Sequence, residues 1–266
     1  MNITIIGMIL GILMLGIPLY ILNWLRVDKL QQAITAVCKM IGYTIVAGLC
    51  LYFVFRWNSV LVNILFVVLI AAIASILTLR YARMRGYLML VPVFGGMLVA
   101  MFIIGLWLLF VVFGIKQPFE ARWLIPVCGL LLGFMVETNA KALDTYYTGL
   151  KNHAQIYYFL LGNGATHREA VAYFMKRAME RCISPMLKRM AYLLVGIVPV
   201  VLWTMLLDGI SVWTAVGCQV FILIAAFSAS VLSLFITFWI ARKYAFDHYE
   251  QLLPKDGVDL NQKKAE

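Results

Sequence analysis

The feature that most limits how this chain can fold is a series of seven apolar stretches, at residues 3–25, 38–55, 60–79, 87–113, 123–143, 190–207 and 213–241. A bilayer core about 30 Å thick is crossed by about 20 helical residues, each rising about 1.5 Å. Inside it only helices or closed barrels satisfy the backbone's hydrogen-bonding groups, and runs this long read as helices. The expected fold is therefore an all-α polytopic membrane protein with about seven transmembrane helices. Composition agrees: 64% of residues are apolar and 13% charged, against about 45–50% and about 25% in soluble domains. Such a chain is not a soluble enzyme, a disordered segment or a disulfide-stapled secreted domain. Cys38, Cys50, Cys128, Cys182 and Cys218 show no C-x-x-C spacing and read as small apolar fillers. The run at 3–25 is long for a signal peptide and lacks a basic flank, so it is expected to stay in the mature chain.

The net charge of +10 points to membrane orientation rather than to nucleic acid. With the N-terminus outside, only Arg56, Lys116 and Arg122 of the 22 basic residues fall outside, and the other nineteen face the cytoplasm. That asymmetry selects N-out and C-in. Trp24, Trp57, Trp107, Trp123, Trp213 and Trp239 fall near span ends, as an interfacial aromatic belt requires. Residues 87–113 exceed the bilayer thickness, and Pro92 with Gly95 and Gly96 offers a bend point.

Between the spans, residues 26–37 carry Val27, Leu30, Ile34 and Val37 at helical spacing, which suits an interfacial elbow helix before the second span. Residues 144–189 form the one long inner loop. Tyr157–Leu161 runs into Gly162-Asn163-Gly164, a helix-breaking run. Thr166 followed by Glu169 is a capping-box pattern that starts a second helix. That helix places Val171, Phe174, Ala178 and Cys182 on one side, and Arg168, Lys176, Arg177 and Arg181 on the other. Pro185 is expected to end it. A short helix started so sharply between two spans suits docking on a soluble partner, and equally suits lying on anionic lipid.

The run Leu160-Leu161-Gly162-Asn163-Gly164-Ala165-Thr166-His167-Arg168-Glu169-Ala170, with its basic helix and Pro185, resembles the cytoplasmic loop of the Fet-type iron-export ABC-transporter permeases. Relatives of that family include plant aluminium-tolerance proteins, and its loop reads approximately L-x-L-G-A-T-x-x-x-A. The likeness extends from Pro126-Val127-Cys128-Gly129 through the loop to Pro199, Gly209 and Gln219, and more weakly upstream at 48–55. The resemblance implies a divergent permease domain over residues 1–246, with a polar cytoplasmic tail at 247–266, in the cell's inner (plasma) membrane. Gly162, Gly164, Ala165, Thr166, Glu169, Ala170 and Phe174 would then form the coupling helix of an ABC exporter. The chain has no G-x-x-x-x-G-K-[ST] phosphate loop. ATP and its Mg ion would accordingly sit on a separate ATPase subunit, with no cofactor on this chain. Two copies of each subunit are implied.

The departures from the family fall in the membrane. Its Gly-Met-x-x-Gly-Asn run is here Gly129-Leu130-Leu131-Leu132-Gly133-Phe134. Its Leu-Pro-Gly-Met-Met run is Val198-Pro199-Val200-Val201-Leu202, and Lys39 and Tyr43 replace Arg and Gln. Losing Met and Asn leaves a drier lining, so the cargo reads as an iron-like metal ion or as an amphipathic solute. A non-transporting anchor or regulator of an ATPase is the alternative from another class. Glu137, Lys141 and Asp144 share a helix face at i, i+4 and i+7. They line a pathway, as ionisable residues in spans do, or they meet the headgroups. The remaining pathway candidates are Met135, Asn139, Pro199 and Gln219, with Met186, Met190 and Met205 as weaker ones. His153, His167 and His248 have no ligand spacing, and no metal ligand is assigned.

The charge split yields a direct test of orientation. Single cysteines at Gln117 and Ser211 should react with a membrane-impermeant thiol reagent added outside, and cysteines at Arg83 or Thr166 should not. External labelling at Thr166 would overturn the assignment.

Overall fold

The computed structural model describes residues 16–25, 30–84, 89–192 and 199–244. The described residues are helical and contain no strand. Five of the helices are long and apolar enough to cross a membrane. The polar tail from 245 and the start of the first expected span, residues 3–15, lie outside the described residues. The chain divides into two compact units, Met1–Trp57 and Asn58–Glu266.

In the first unit α1 (Gly16–Trp24) packs against α2 (Leu30–Trp57). The expected elbow is not a separate element over its described part. Residues 30–37 belong to the same helix as the second span, while 26–29 lie outside the described residues. The run from Leu30 to Trp57 contains no proline, and its hydroxyls bond back into the helix. Thr35 and Thr44 donate to Gln31 O and Met40 O at 2.7 and 2.8 Å.

The second unit is built on four crossing helices: α3 (Val60–Tyr81), α4 (Leu90–Trp107), α5 (Ala121–Asn152) and α9 (Val212–Tyr244). The pairs α4·α9, α3·α5 and α5·α9 make the core. Val67, Ala71, Val93, Met97, Ala100, Met135 and Ala229 are fully buried there. Leu61, Leu65, Ile103, Phe221 and Trp239 point outward, as side chains facing lipid do. The ends of the bundle match the expected alternation of the spans. At one end the Asn63 side-chain amide donates to Phe119 O at 2.9 Å, and the Ala121 N–H donates to Asn58 Oδ1 at 3.2 Å. At the other the Tyr147 hydroxyl donates to Met89 Sδ at 3.1 Å.

The helix α4 passes into a single π-helical segment, Leu108–Val112, closed by Phe113 N–H to Leu108 O at 3.0 Å. This is the helix's irregular point. Pro92 sits in the first turn, where its missing N–H costs no helical bond, and Gly96 serves a close approach instead. A Cβ at Gly96 would collide with the Thr237 hydroxyl and come within 2.9 Å of Ser233 O. The α4–α9 contact therefore requires a residue without a side chain, which is how membrane helices gain contact without a hydrophobic driving force between them.

The inner loop departs from expectation in length. Hydropathy falls at Glu137, yet α5 continues to Asn152 because its buried face continues. Tyr146 stacks on Phe238 with ring centroids 5.1 Å apart, and Tyr147 and Leu150 are buried. Next come α6 (Ala154–Gly162) and α7 (His167–Ala191). The expectation that Pro185 ends the capped helix is corrected, since α7 runs through it to Ala191. A proline removes one helical N–H and crowds the carbonyl four residues back. Here that residue is Arg181, on the exposed face, where water can take the freed carbonyl. The sixth expected span is not one helix from Met190. The chain leaves α7 at Tyr192, residues 193–198 lie outside the described set, and α8 (Val200–Leu207) starts after Pro199.

The α4–α9 contact can be tested by adding one methyl group. Gly96→Ala should destabilise the purified protein by about 1–3 kcal/mol, the usual cost of overpacking, read as a lower Tm. Gly129→Ala, with nothing within 4 Å of the new Cβ, should be neutral or slightly stabilising. Equal effects at the two positions would refute the close contact.

Candidate functional site

The helix α7 starts where the sequence places it. Gly164 has φ +87, which turns the chain out of α6. Thr166 Oγ1 accepts from the Glu169 N–H at 3.4 Å, and the Thr166 N–H donates to Glu169 Oε2 at 2.8 Å, completing the capping box. The Thr166 amide and hydroxyl hold the Glu169 carboxyl below the usual carboxylate range. The box is accordingly intact at neutral pH, and its contribution is lost as pH falls through that lowered value. Ala170, Val171, Phe174, Ala178 and Cys182 are buried and Arg168, Lys176, Arg177 and Arg181 exposed, the two-faced arrangement expected. Burial pushes the Cys182 thiol up to about 11, despite the cations of Lys141 and Arg181 nearby. A further contact was not legible. The buried Tyr157 hydroxyl lies 2.8 Å from His167 Nδ1 and joins α6 to the first turn of α7.

The polar residues of α5 separate onto two sides. Asn139 and Met135 are fully buried within the bundle. The Asn139 side-chain amide donates to Ser233 Oγ on α9 at 2.8 Å, while Asn139 Oδ1 and Thr237 Oγ1 are buried without hydrogen-bond partners. Glu137 and Lys141 face α7 instead. Lys141 Nζ lies 2.6 Å from Glu137 Oε1, the i,i+4 pair expected. The residue that sequence reasoning missed is Arg189. From the last turn of α7 it grips both oxygens of Glu137, Nη1 to Oε2 and Nη2 to Oε1, each at 2.9 Å. Gln219 lies apart from both groups, on α9, where its Oε1 accepts from the Leu202 N–H of α8 at 3.2 Å. Pro199 caps the start of α8. Asp208 and Gly209, with φ +83 at the glycine, form the turn expected between α8 and α9. Among the described residues no three His, Cys, Asp or Glu side chains converge as metal ligands.

The outer helix α7 is thus tied at its end to a helix that crosses the bilayer, beside a buried polar seam. The fold is that of a multi-pass, all-helical membrane protein. Residues 3–246 match the uncharacterised protein family UPF0014, and the chain belongs to that family. Protein ALUMINUM SENSITIVE 3 of Arabidopsis thaliana is 24% identical over 191 residues, covering 71% of this chain and 67% of the plant protein. That relative agrees with the resemblance to plant aluminium-tolerance proteins. No solved structure matches the chain.

The Glu137–Arg189 link can be measured by a double-mutant cycle. Glu137 and Arg189 are both about half exposed, at 45% and 46%. Solvent screening then limits their coupling to about 0.2–1 kcal/mol, toward the upper end for a bidentate pair. Glu137→Gln and Arg189→Gln should each lower Tm, and together by less than the sum. Strict additivity would show that the pair does not couple α5 to α7.

Proposed function

We propose that this chain is the membrane subunit of an ABC exporter in the cell's inner membrane, working as a homodimer with a separate ATPase. The observation that carries this reading is the mechanical continuity of α7 with α5. The capping box fixes where α7 starts, its apolar face lies along the emergent part of α5, and Arg189 fastens its last turn to Glu137. A push on the exposed basic side of α7 or on the Gly162–Thr166 turn would therefore reach a membrane-crossing helix directly. Gly162, Gly164, Ala165, Thr166, Glu169, Ala170 and Phe174 are the coupling elements in this scheme.

The cargo path we assign to the seam between α4, α5 and α9. Its two unpartnered oxygens, Asn139 Oδ1 and Thr237 Oγ1, each carry a penalty of about 1–3 kcal/mol when left dry. A change of packing or a passing solute would relieve it. Met135 and Met97 add soft sulfur close to the same helices. The name of the plant relative concerns aluminium, which together with the resemblance to iron-export permeases favours a metal ion as cargo. An amphipathic organic molecule is the second candidate, on the strength of the aliphatic Leu130, Val201 and Leu202.

The test uses the chain in nanodiscs with an ATPase subunit that co-purifies with it. Thr166→Ala, which removes an N-cap worth about 0.5–2 kcal/mol, and Gly164→Pro should abolish stimulation of the ATPase while the chain still inserts and dimerises. Stimulation by ferrous or other transition metals that is lost in Asn139→Leu would support metal export. Stimulation by organic amphiphiles alone would replace the metal with the second cargo. Wild-type stimulation in both α7 variants would reject coupling through this helix.

A further inference from the structure

We propose that the cleft between the emergent end of α5 and α7 is a binding site for a phosphate group, supplied by an anionic membrane lipid or by a soluble phosphate compound. This inference does not depend on the export reading. The cleft has a volume of about 500 Å³, and three cations line it: Lys141 from α5, and Arg177 and Arg181 from α7. Thr145, Thr148 and Asn152 add neutral donors on the α5 wall, and Asp144 is the one carboxylate among the lining residues.

The carboxylates of α7 and of the neighbouring α5 turn are engaged away from the two arginines. Glu137 is held by Lys141 and Arg189, Glu169 closes the capping box, and Glu180 stands 4.0 Å from Lys176. Arg177 and Arg181 form no ion pair with Glu137, Glu169 or Glu180, whose partners are Lys141 and Arg189, Thr166, and Lys176. They stand four residues apart on one helix face, a repulsive arrangement that an anion between them would reverse. Two planar guanidinium groups facing hydroxyl and amide donors match the several oxygens of a phosphate better than they match a single carboxylate.

Depth favours the lipid as the source. The 32 residues of α5 span about 48 Å, against a hydrocarbon core of about 30 Å. With Trp123 at the opposite interface, the hydrocarbon ends close to Lys141. The cleft begins at that level and continues outward to His153, through the layer that lipid phosphates occupy. Its α7 floor includes Phe174, Ala178 and Cys182, an apolar surface suited to a glycerol backbone.

Native mass spectrometry of the full chain, released from nanodiscs of mixed phosphatidylglycerol and phosphatidylcholine, tests this directly. Wild type should retain phosphatidylglycerol selectively. Arg177→Gln with Arg181→Gln should weaken retention about tenfold or more, as expected when charged hydrogen bonds are lost. The pair Arg168→Gln with Lys176→Gln removes the same charge from the same helix outside the cleft and should leave retention unchanged. Both double variants must give the wild-type dimer fraction, and Arg177→Lys with Arg181→Lys, which keeps the charge, should restore most of the binding. In a second arm, pyrophosphate is titrated into the chain in pure phosphatidylcholine nanodiscs. A rise in Tm that the cleft variant lacks, without selective lipid retention, would support the site with a soluble phosphate as its ligand. Equal losses in the cleft and control variants, or no selectivity in either arm, would overturn the proposal.

Discussion

Everything in the second unit rests on the rule that a peptide group in hydrocarbon must find its partner within its own helix. Once that rule makes each span a rod, the rods are left with van der Waals contact, small-residue seams and a few polar bonds to hold them together. The Gly96 contact with Ser233 and Thr237, the Asn139–Ser233 bond and the buried small residues of α3 and α9 are these means in this protein. The tie from Arg189 to Glu137 belongs to a different regime. It sits where the hydrocarbon ends, half exposed, so it orients a helix more than it stabilises a fold.

What could be read from the sequence was what depends on neighbours a few residues apart. The capping box needs only Thr166 and Glu169, and the amphipathic face of α7 follows from a 3.6-residue period. The Gly162–Gly164 break follows from the conformational freedom of glycine. The bundle's alternation follows from hydropathy and charge alone, and the contacts at its two ends agree with it. Glu137 with Lys141 was legible for the same reason, as residues one turn apart on one helix.

What escaped depends on distance in the chain or on two signals that disagree. Arg189 is 52 residues from Glu137, and nothing local marks one basic residue of α7 as the partner. The length of α5 was missed because the apolar stretch ends at residue 143 while helical periodicity continues through Tyr146, Tyr147 and Leu150. Pro185 misled because the rule against proline inside helices assumes that the freed carbonyl has no other partner. The division of the α5 polar groups onto two sides was within reach of the sequence. Residues 137 and 141 share a face, and 135 and 139 share another, which a helical wheel separates.

The unbroken run of α5 from Ala121 to Asn152 makes it a lever as well as a span. Beyond its internal Pro126, a rod of about 39 Å that tilts by about 10° moves its far end by about 7 Å. The part beyond the bilayer packs against α7, with Phe174 beside Gly149, and the part within it carries Asn139 toward α9 and Met135 into the bundle. Small rotations inside the membrane, of the size that side-chain packing tolerates, are therefore magnified at the water-facing end. In the reverse sense, a displacement of several ångströms applied outside arrives at Asn139 reduced in amplitude and increased in force.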